Sequence, residues 1–167
     1  MRWENKFREE HQKTRGIELG TKIININEEQ INFILWDTYS DERLIQITRA
    51  CFRGTAAAFI IYDVTRRESF EHLDYWVYEI STYGPKDAVA VLIGNKVDIE
   101  EERKVLFEEG QKFANDHQMI YFETSAKTGL NIENLINFVS AEILTKIRNG
   151  QIDIEADSNG IKLSRLK

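Results

Sequence analysis

Two short polar segments have the residue types and the spacing that could do chemistry. The first is GNKVDI, residues 94–99, and the second is ETSAK, residues 123–127. A carboxylate at the position of Asp98 can accept two N–H groups from one edge of a base. Guanine offers such an edge through its N1–H and 2-amino groups, whereas N1 of adenine is an acceptor. The first segment therefore predicts guanine selection by Asp98, although a solvated turn explains NKVD alone equally well.

The other polar residues of the two segments fit the same base. Asn95 can bond a second edge of the base and brace its loop, and the stem of Lys96 can lie over the ring. In the second segment, Ser125 is expected to brace the loop, the N–H of Ala126 to reach the guanine 6-oxygen, and Lys127 to cover the base. The TSAK segment is weak evidence alone, but its position after NKVD favours one shared site.

A third polar segment, WDTYSDE at residues 36–42, follows another predicted strand. Asp37 lies at the end of that strand, where a carboxylate can hold a water molecule of a bound Mg²⁺ ion. For Asp37 taken alone, a helix or turn cap is the more common role.

The composition narrows the class of protein. The chain has 167 residues and 42 % of them are hydrophobic, which suits one domain with a core. Its net charge of −6 argues against nucleic-acid binding by bulk electrostatics. Cys51 is the only cysteine, so we expect no internal disulfide and a reducing compartment. No stretch reads as a signal peptide or as a transmembrane segment.

Hydrophobic patterning predicts strands and helices that alternate along the chain. The predicted strands cover residues 17–27, 30–37, 56–62, 88–93 and 119–122. The predicted helices cover residues 43–52, 69–82, 107–117 and 131–148, the last with Asn131 as its N-cap. The first two strands are expected to form a hairpin, and residues 56–62 to be buried on both faces. This order predicts an α/β fold with a mostly parallel sheet, whose ligands bind at the carboxyl ends of the strands.

With these motifs in place, the chain resembles the small GTPases of the Ras superfamily, and among them the Rab family. NKVD and ETSAK match the guanine-recognition motifs, and WDTYSDE matches the switch II motif WDTAGQE with changes. Residues 47–76, ITRACFRGTAAAFIIYDVTRRESFEHLDYW, match the Rab pattern closely, and residues 11–27 match the stretch that holds the switch I threonine. The resemblance runs to about residue 147.

The resemblance implies a Ras-like P-loop NTPase fold that binds GTP or GDP with Mg²⁺. It makes Thr14 and Asp37 the side chains that hold the metal. It also implies Rab-type effectors and regulators as partners, bound through the switch regions at about residues 14–53.

The phosphate-binding part of the family pattern is missing from these residues. The family motif G-x-x-x-x-G-K-[ST] does not occur, since none of the nine glycines precedes a lysine. By this alignment the first strand and the phosphate loop are absent, so we expect an N-terminally truncated domain at residues 1–149. A polar and mostly disordered tail is expected at residues 150–167. A missing central strand would leave two sheet edges unpaired, which predicts marginal stability for the chain alone.

Two more departures concern hydrolysis and membrane attachment. Ser40 stands at the switch II glycine and Asp41 at the glutamine that orients the attacking water, so no catalytic residue is assigned. Hydrolysis is expected to be slow or absent. The chain ends in NGIKLSRLK, without the prenylated cysteines of Rabs. A cytoplasmic location is expected, with any endomembrane contact made through partners.

Two functions remain open on the sequence. One is a Rab-like GTP-binding protein of vesicle traffic, shortened here by its gene model or splicing. The other is a pseudo-GTPase that binds proteins and hydrolyses no nucleotide. The altered residues Ser40 and Asp41 favour the second, because a missing start does not explain them.

Overall fold

The computed structural model describes residues 14, 16–26, 29–38, 44–153 and 164–165. The strands in this part of the chain are β1 (Glu18–Ile26), β2 (Glu29–Asp37), β3 (Ala57–Asp63), β4 (Val89–Asn95), β5 (Ile120–Thr124) and β6 (Ser164–Arg165). The α-helices are α1 (Ile45–Phe52), α2 (Arg67–Glu71), α3 (Leu73–Tyr83), α4 (Phe107–Asp116) and α5 (Ile132–Arg148). A short 3₁₀ helix covers Glu100–Glu102.

The first two strands form the predicted hairpin. β1 pairs antiparallel with β2 from Glu18 opposite Asp37 to Ile26 opposite Glu29. The tip of the hairpin, residues 27–28, lies outside the described residues. The short strand β6 pairs antiparallel with the start of β2, so these three strands form one sheet.

The remaining strands form a second, parallel sheet in the order β3-β4-β5. The α/β class is confirmed, but the described strands make two separate sheets rather than one mostly parallel sheet. Within the described residues, β3 pairs only with β4, so its other side is an open edge. The burial of β3 also differs from the prediction, because Ile61 is 59 % exposed while its neighbours Ile60 and Tyr62 are buried.

Helices cover both faces of the parallel sheet. Alternate residues of a strand point to opposite faces, and β4 shows this clearly. Val91 and Ile93 pack against Val139 of α5, whereas Leu92 packs on the other side with Leu73 of α3. The core therefore lies in two layers around β4, with the predicted apolar stripe of α5 buried against the sheet.

The predicted helix over residues 69–82 is divided into two. α2 ends at Glu71 and α3 begins at Leu73, with His72 between them at φ −84° and ψ 0°. The N–H of His72 is bonded to the carbonyls of Glu68 and Phe70, which closes the first helix. Periodicity alone did not reveal this break, because the apolar spacing continues across it.

Asn131 lies at the N-cap position of α5 as predicted, but its side chain does not cap the helix. Its backbone is left-handed, with φ +59°, and its side chain makes no capping hydrogen bond. Its Nδ2 instead donates to the carbonyl of Glu123 at 2.8 Å. Asn131 therefore links the start of α5 to the end of β5.

The segment after α5 is more ordered than the predicted tail at the positions described. The N–H groups of Gln151 and Ile152 both donate to the carbonyl of Lys146, and the Ile152 side chain is buried. Residues 154–163 and 166–167 lie outside the described residues, so the boundary at residue 150 stays a prediction. None of the described helices is long and apolar enough to cross a membrane.

Candidate functional site

The three parallel strands end side by side. Asp63, the last residue of β3, is in register with Asn95, the last residue of β4. Asn95 is in turn in register with Thr124, the last residue of β5. The loops that follow β4 and β5 therefore start from one sheet edge, where α/β folds bind their ligands.

The loop after β4 turns sharply at Lys96. This residue has φ +71°, a left-handed conformation that costs energy for a side chain larger than glycine. Its ammonium group lies 2.6 Å from Oδ2 of Asp63, across the neighbouring strand. The chain is held on either side of it, since Asn95 accepts a hydrogen bond from the N–H of Val64 and Val97 donates to Thr124.

Asp63 is held in its ionised form. Partial burial opposes ionisation, but hydrogen bonds from Lys96 and from Thr65 outweigh it and keep the pKa of Asp63 below its ordinary value. The N–H and the hydroxyl of Thr65 donate to Oδ1 at 2.9 and 2.7 Å. Asp63 therefore anchors the ammonium end of Lys96.

Ser125 joins the two loops. Its buried hydroxyl donates to Oδ1 of Asp98 at 2.6 Å and accepts the N–H of Thr128 at 3.0 Å. The Ser125 N–H also donates to the carbonyl of Leu130. The hydroxyl thus braces its own loop and orients the carboxylate of the other loop.

Asn95 lies between the two loops. Its Oδ1 accepts the N–H of Ala126 at 3.2 Å and the hydroxyl of Thr124 at 3.4 Å. The N–H that the sequence assigns to the guanine 6-oxygen is thus bonded to Asn95 in this structure. A base oxygen would have to share this donor or replace Asn95 as its acceptor. Lys127 follows in the same loop and is exposed.

These loops present an exposed acceptor and a backbone N–H donor at one edge of the sheet. The Asp98 side chain is exposed, and Ser125 holds only one of its two oxygens. A carboxylate has about four acceptor positions, so it can still take two N–H groups from one base edge. An acceptor-only group repels the N1 acceptor of adenine, and the nearby Ala126 N–H suits a carbonyl oxygen.

The two predicted metal ligands are hydrogen-bonded to each other. The hydroxyl of Thr14 donates to Oδ2 of Asp37 at 3.0 Å, although the residues are 23 positions apart. A hydroxyl and a carboxylate are hard oxygen ligands of the kind that Mg²⁺ prefers. The donor chemistry of this pair therefore suits a Mg²⁺ ion. Asp41, at the position of the family glutamine, lies outside the described residues.

Several residues around the loops have no role in the sequence prediction. Asp63 ends a strand before a polar turn, a signal that could have been noticed. Arg103 and Glu123 form an ion pair beside the loops. Their spacing in the sequence does not predict this pair. Asn131 was expected at a helix start, but its hydrogen bond to the backbone of Glu123 was not expected.

One comparison with known proteins bears on this arrangement. A family model described as the Ras family matches residues 2–145. The match includes the ends of β3, β4 and β5, both polar loops and the Thr14–Asp37 pair.

Proposed function

Because this chain belongs to the Ras family of small GTP-binding proteins, we propose that it recognises guanine nucleotides through the loops after β4 and β5. The residues proposed to bind the base are Asn95, Lys96, Asp98, Ser125, Ala126 and Lys127. Thr14 and Asp37 are proposed to hold Mg²⁺.

The observation that carries this proposal is the hydrogen bond from Ser125 to Asp98. It fixes an exposed carboxylate at the carboxyl edge of the parallel sheet and involves only one of its two oxygens. A solvated turn needs no such brace. Holding the carboxylate in place lowers the entropy that it would lose on binding a base.

The other residues shape the remaining sides of the base. The Lys96 stem, anchored at its ammonium end by Asp63, covers one ring face. The Ala126 N–H serves the 6-oxygen, and the exposed Lys127 stem covers the base from the second loop. Asn95 connects both loops and keeps the Ala126 donor in place until a base arrives.

Within the family we propose a Rab-like role in vesicle traffic. The support is the sequence of residues 47–76 and an apolar stripe on the outer face of the β1–β2 hairpin. The stripe consists of exposed side chains, namely Leu19, Ile23, Ile34 and Trp36. Trp36 lies directly opposite Leu19, so the two form a continuous surface. We propose that effectors and regulators dock there and bring a cytoplasmic protein to endomembranes.

A second candidate function is a protein-binding module without hydrolysis. The observation that favours it is the pair Ser40 and Asp41, which replaces the glycine and the glutamine of the switch II motif. A carboxylate at the glutamine position repels a γ-phosphate and cannot both donate to and accept from a water molecule. The apolar stripe would serve such a module as well as it serves a GTPase.

The first experiment is a fluorescence titration of the nucleotide-free protein with a GDP derivative labelled on the ribose. We expect saturable binding that unlabelled GDP displaces and unlabelled ADP does not. No saturable signal at millimolar nucleotide, with folded protein shown by circular dichroism, would refute guanine binding by this chain.

A second experiment separates the two candidate functions. Single-turnover hydrolysis is followed with radiolabelled GTP for the wild-type protein and for Asp41→Gln. Phosphate release by the wild type above the rate without protein would refute the non-hydrolysing module. Bound GTP that stays intact in the wild type supports it.

A further inference from the structure

A largely buried arginine bonds the segments that adjoin both base-recognition loops. Arg103 follows the 3₁₀ helix that continues from the NKVD loop, and Glu123 immediately precedes Thr124 and Ser125. Their side chains are only 12 % and 15 % exposed. The guanidinium donates to both carboxylate oxygens of Glu123, at 2.7 and 3.0 Å.

The remaining N–H groups of Arg103 bind residues of the segment that follows the first loop. Its Nε donates to the Glu100 carboxylate at 2.8 and 2.9 Å, and a terminal nitrogen donates to the carbonyl of Val105 at 3.1 Å. Because the guanidinium is planar, these partners and Glu123 together fix its orientation. Arg103 therefore connects the chain that follows Asp98 with the chain that leads into Ser125.

Glu123 is fixed from its other side as well. The hydroxyl of Tyr121 donates to Oε1 of Glu123 at 3.1 Å, and that hydroxyl lies 2.7 Å from the hydroxyl of Tyr62 on β3. The backbone carbonyl of Glu123 accepts Nδ2 of Asn131 at 2.8 Å. The second loop thus starts from a residue that is held by its side chain and by its backbone.

We propose that Arg103 and Glu123 are positioning residues for base recognition, which set the spacing between the Asp98 carboxylate and the Ala126 N–H. The inference rests on the proposed guanine site and names the pair that keeps its two halves in register. Neither residue belongs to the set proposed to touch the base. Their bidentate geometry suits this task, since two parallel hydrogen bonds fix both distance and angle.

The first test needs no nucleotide. Hydrogen exchange is measured by NMR on the nucleotide-free protein for the wild type and for Arg103→Met. We expect the amides of Val97, Ala126 and Thr128 to exchange at least about tenfold faster in the variant, because both loops lose their common anchor. Amides in the middle of α5 should keep their wild-type rates.

Two other variants sharpen this measurement. Arg103→Lys keeps the charge but cannot bond both oxygens in the same fork, so we expect an intermediate exchange rate. Arg67→Met is the matched control, because it removes another Arg–Glu ion pair. Arg67 lies 2.6 Å from Glu109, and the pair joins α2 to α4. If Arg103→Met does not fold, hydrogen exchange in Arg103→Lys alone tests the proposal. Unchanged exchange in both loops of the folded variant overturns the proposal.

The second test uses nucleotides and distinguishes positioning from a general loss of stability. IDP lacks the 2-amino group, so the ratio of IDP to GDP dissociation constants reports how well Asp98 engages the base. We expect Arg103→Met to lower this ratio by about tenfold, within the range that one bidentate contact supplies. A merely destabilised protein would keep the ratio, and that result overturns the proposal. If the wild type binds no guanine nucleotide, the proposed function fails, and hydrogen exchange still decides the role of Arg103.

Discussion

The Ser125 hydroxyl donates to Asp98 at 2.6 Å, although 27 positions separate the two residues in the chain. The bond is possible because β4 and β5 run parallel and end in register, which brings both following loops to one edge. Ser125 is fully buried, whereas the Asp98 side chain is exposed. A buried donor that orients an exposed carboxylate is an arrangement suited to holding a ligand from solvent.

The first prediction concerns the contact between α1 and α3. Arg49 donates to both oxygens of Glu79, at 2.7 and 2.8 Å, and Glu79 is only 2 % exposed. This hydrogen bonding outweighs the effect of burial and holds the pKa of Glu79 below its ordinary value. We expect Arg49→Met to lower the free energy of unfolding, because a buried carboxylate loses its partner. Urea unfolding measures this.

Two variants control that experiment. Replacing both partners, as Arg49→Met with Glu79→Leu, should recover most of the loss, since no buried charge then remains unpaired. Arg67→Met removes a more exposed ion pair and should lower the free energy of unfolding less than Arg49→Met does. A loss for Arg49→Met as small as that of Arg67→Met would contradict the account of this pair.

The second prediction concerns Gly110 on α4. A Cβ atom at this position would lie 2.5 Å from the hydroxyl oxygen of Tyr62 and would also collide with that of Tyr121. Alanine normally favours a helix over glycine by about 1 kcal/mol. Here we expect Gly110→Ala to destabilise the fold by about 1–3 kcal/mol, because the two hydroxyls must move.

The double background Tyr62→Phe with Tyr121→Phe removes both hydroxyl oxygens but keeps the ring carbon Cζ of Tyr121, 2.5 Å from the added Cβ, so it tests the hydroxyl part of the effect. Thermal unfolding should show a smaller effect of Gly110→Ala there than in the wild type. An equal effect in both backgrounds would show that the tyrosine hydroxyls are not the obstacle.

The third prediction is an alkaline dependence of stability. Burial raises the pKa of Tyr62 to about 12, against a smaller opposing effect of its hydrogen bond with Tyr121. Burial, with the adjacent Tyr62, also raises the pKa of Tyr121. In the unfolded chain a tyrosine titrates near pH 10, so the unfolded state loses protons that the folded state keeps. Stability is therefore complete below about pH 10 and falls as the pH rises toward 12.

Urea midpoints between pH 8 and pH 11 measure this dependence. The double variant Tyr62→Phe with Tyr121→Phe should lose less stability over that interval than the wild type. If both proteins lose the same amount, the two tyrosines are not responsible for the alkaline dependence.

Much of the fold can be predicted from the sequence, because apolar runs and their periodicity indicate strands and helices from neighbouring residues alone. The hairpin, β4, β5 and α5 lie where the patterns predict them, and the loops after β4 and β5 start from one sheet edge as expected. Other features depend on register between distant strands. Lys96 reaches Asp63 only because β3 and β4 end together, and Arg103 meets Glu123 only through the folded loops. The burial of Ile152 likewise comes from tertiary contacts.

The claim that Asp98 reads guanine is tested most directly by Asp98→Asn. Xanthine carries an oxygen where guanine carries its 2-amino group, so an amide, with one acceptor and one donor, should prefer xanthine. In equilibrium titrations we expect the affinity of the variant for GDP to fall by about tenfold or more and its affinity for XDP to rise. Asp116→Asn, which changes an exposed carboxylate paired with Lys112 on α4, should leave both affinities unchanged. An Asp98→Asn protein with the guanine preference of the wild type would contradict the role of Asp98.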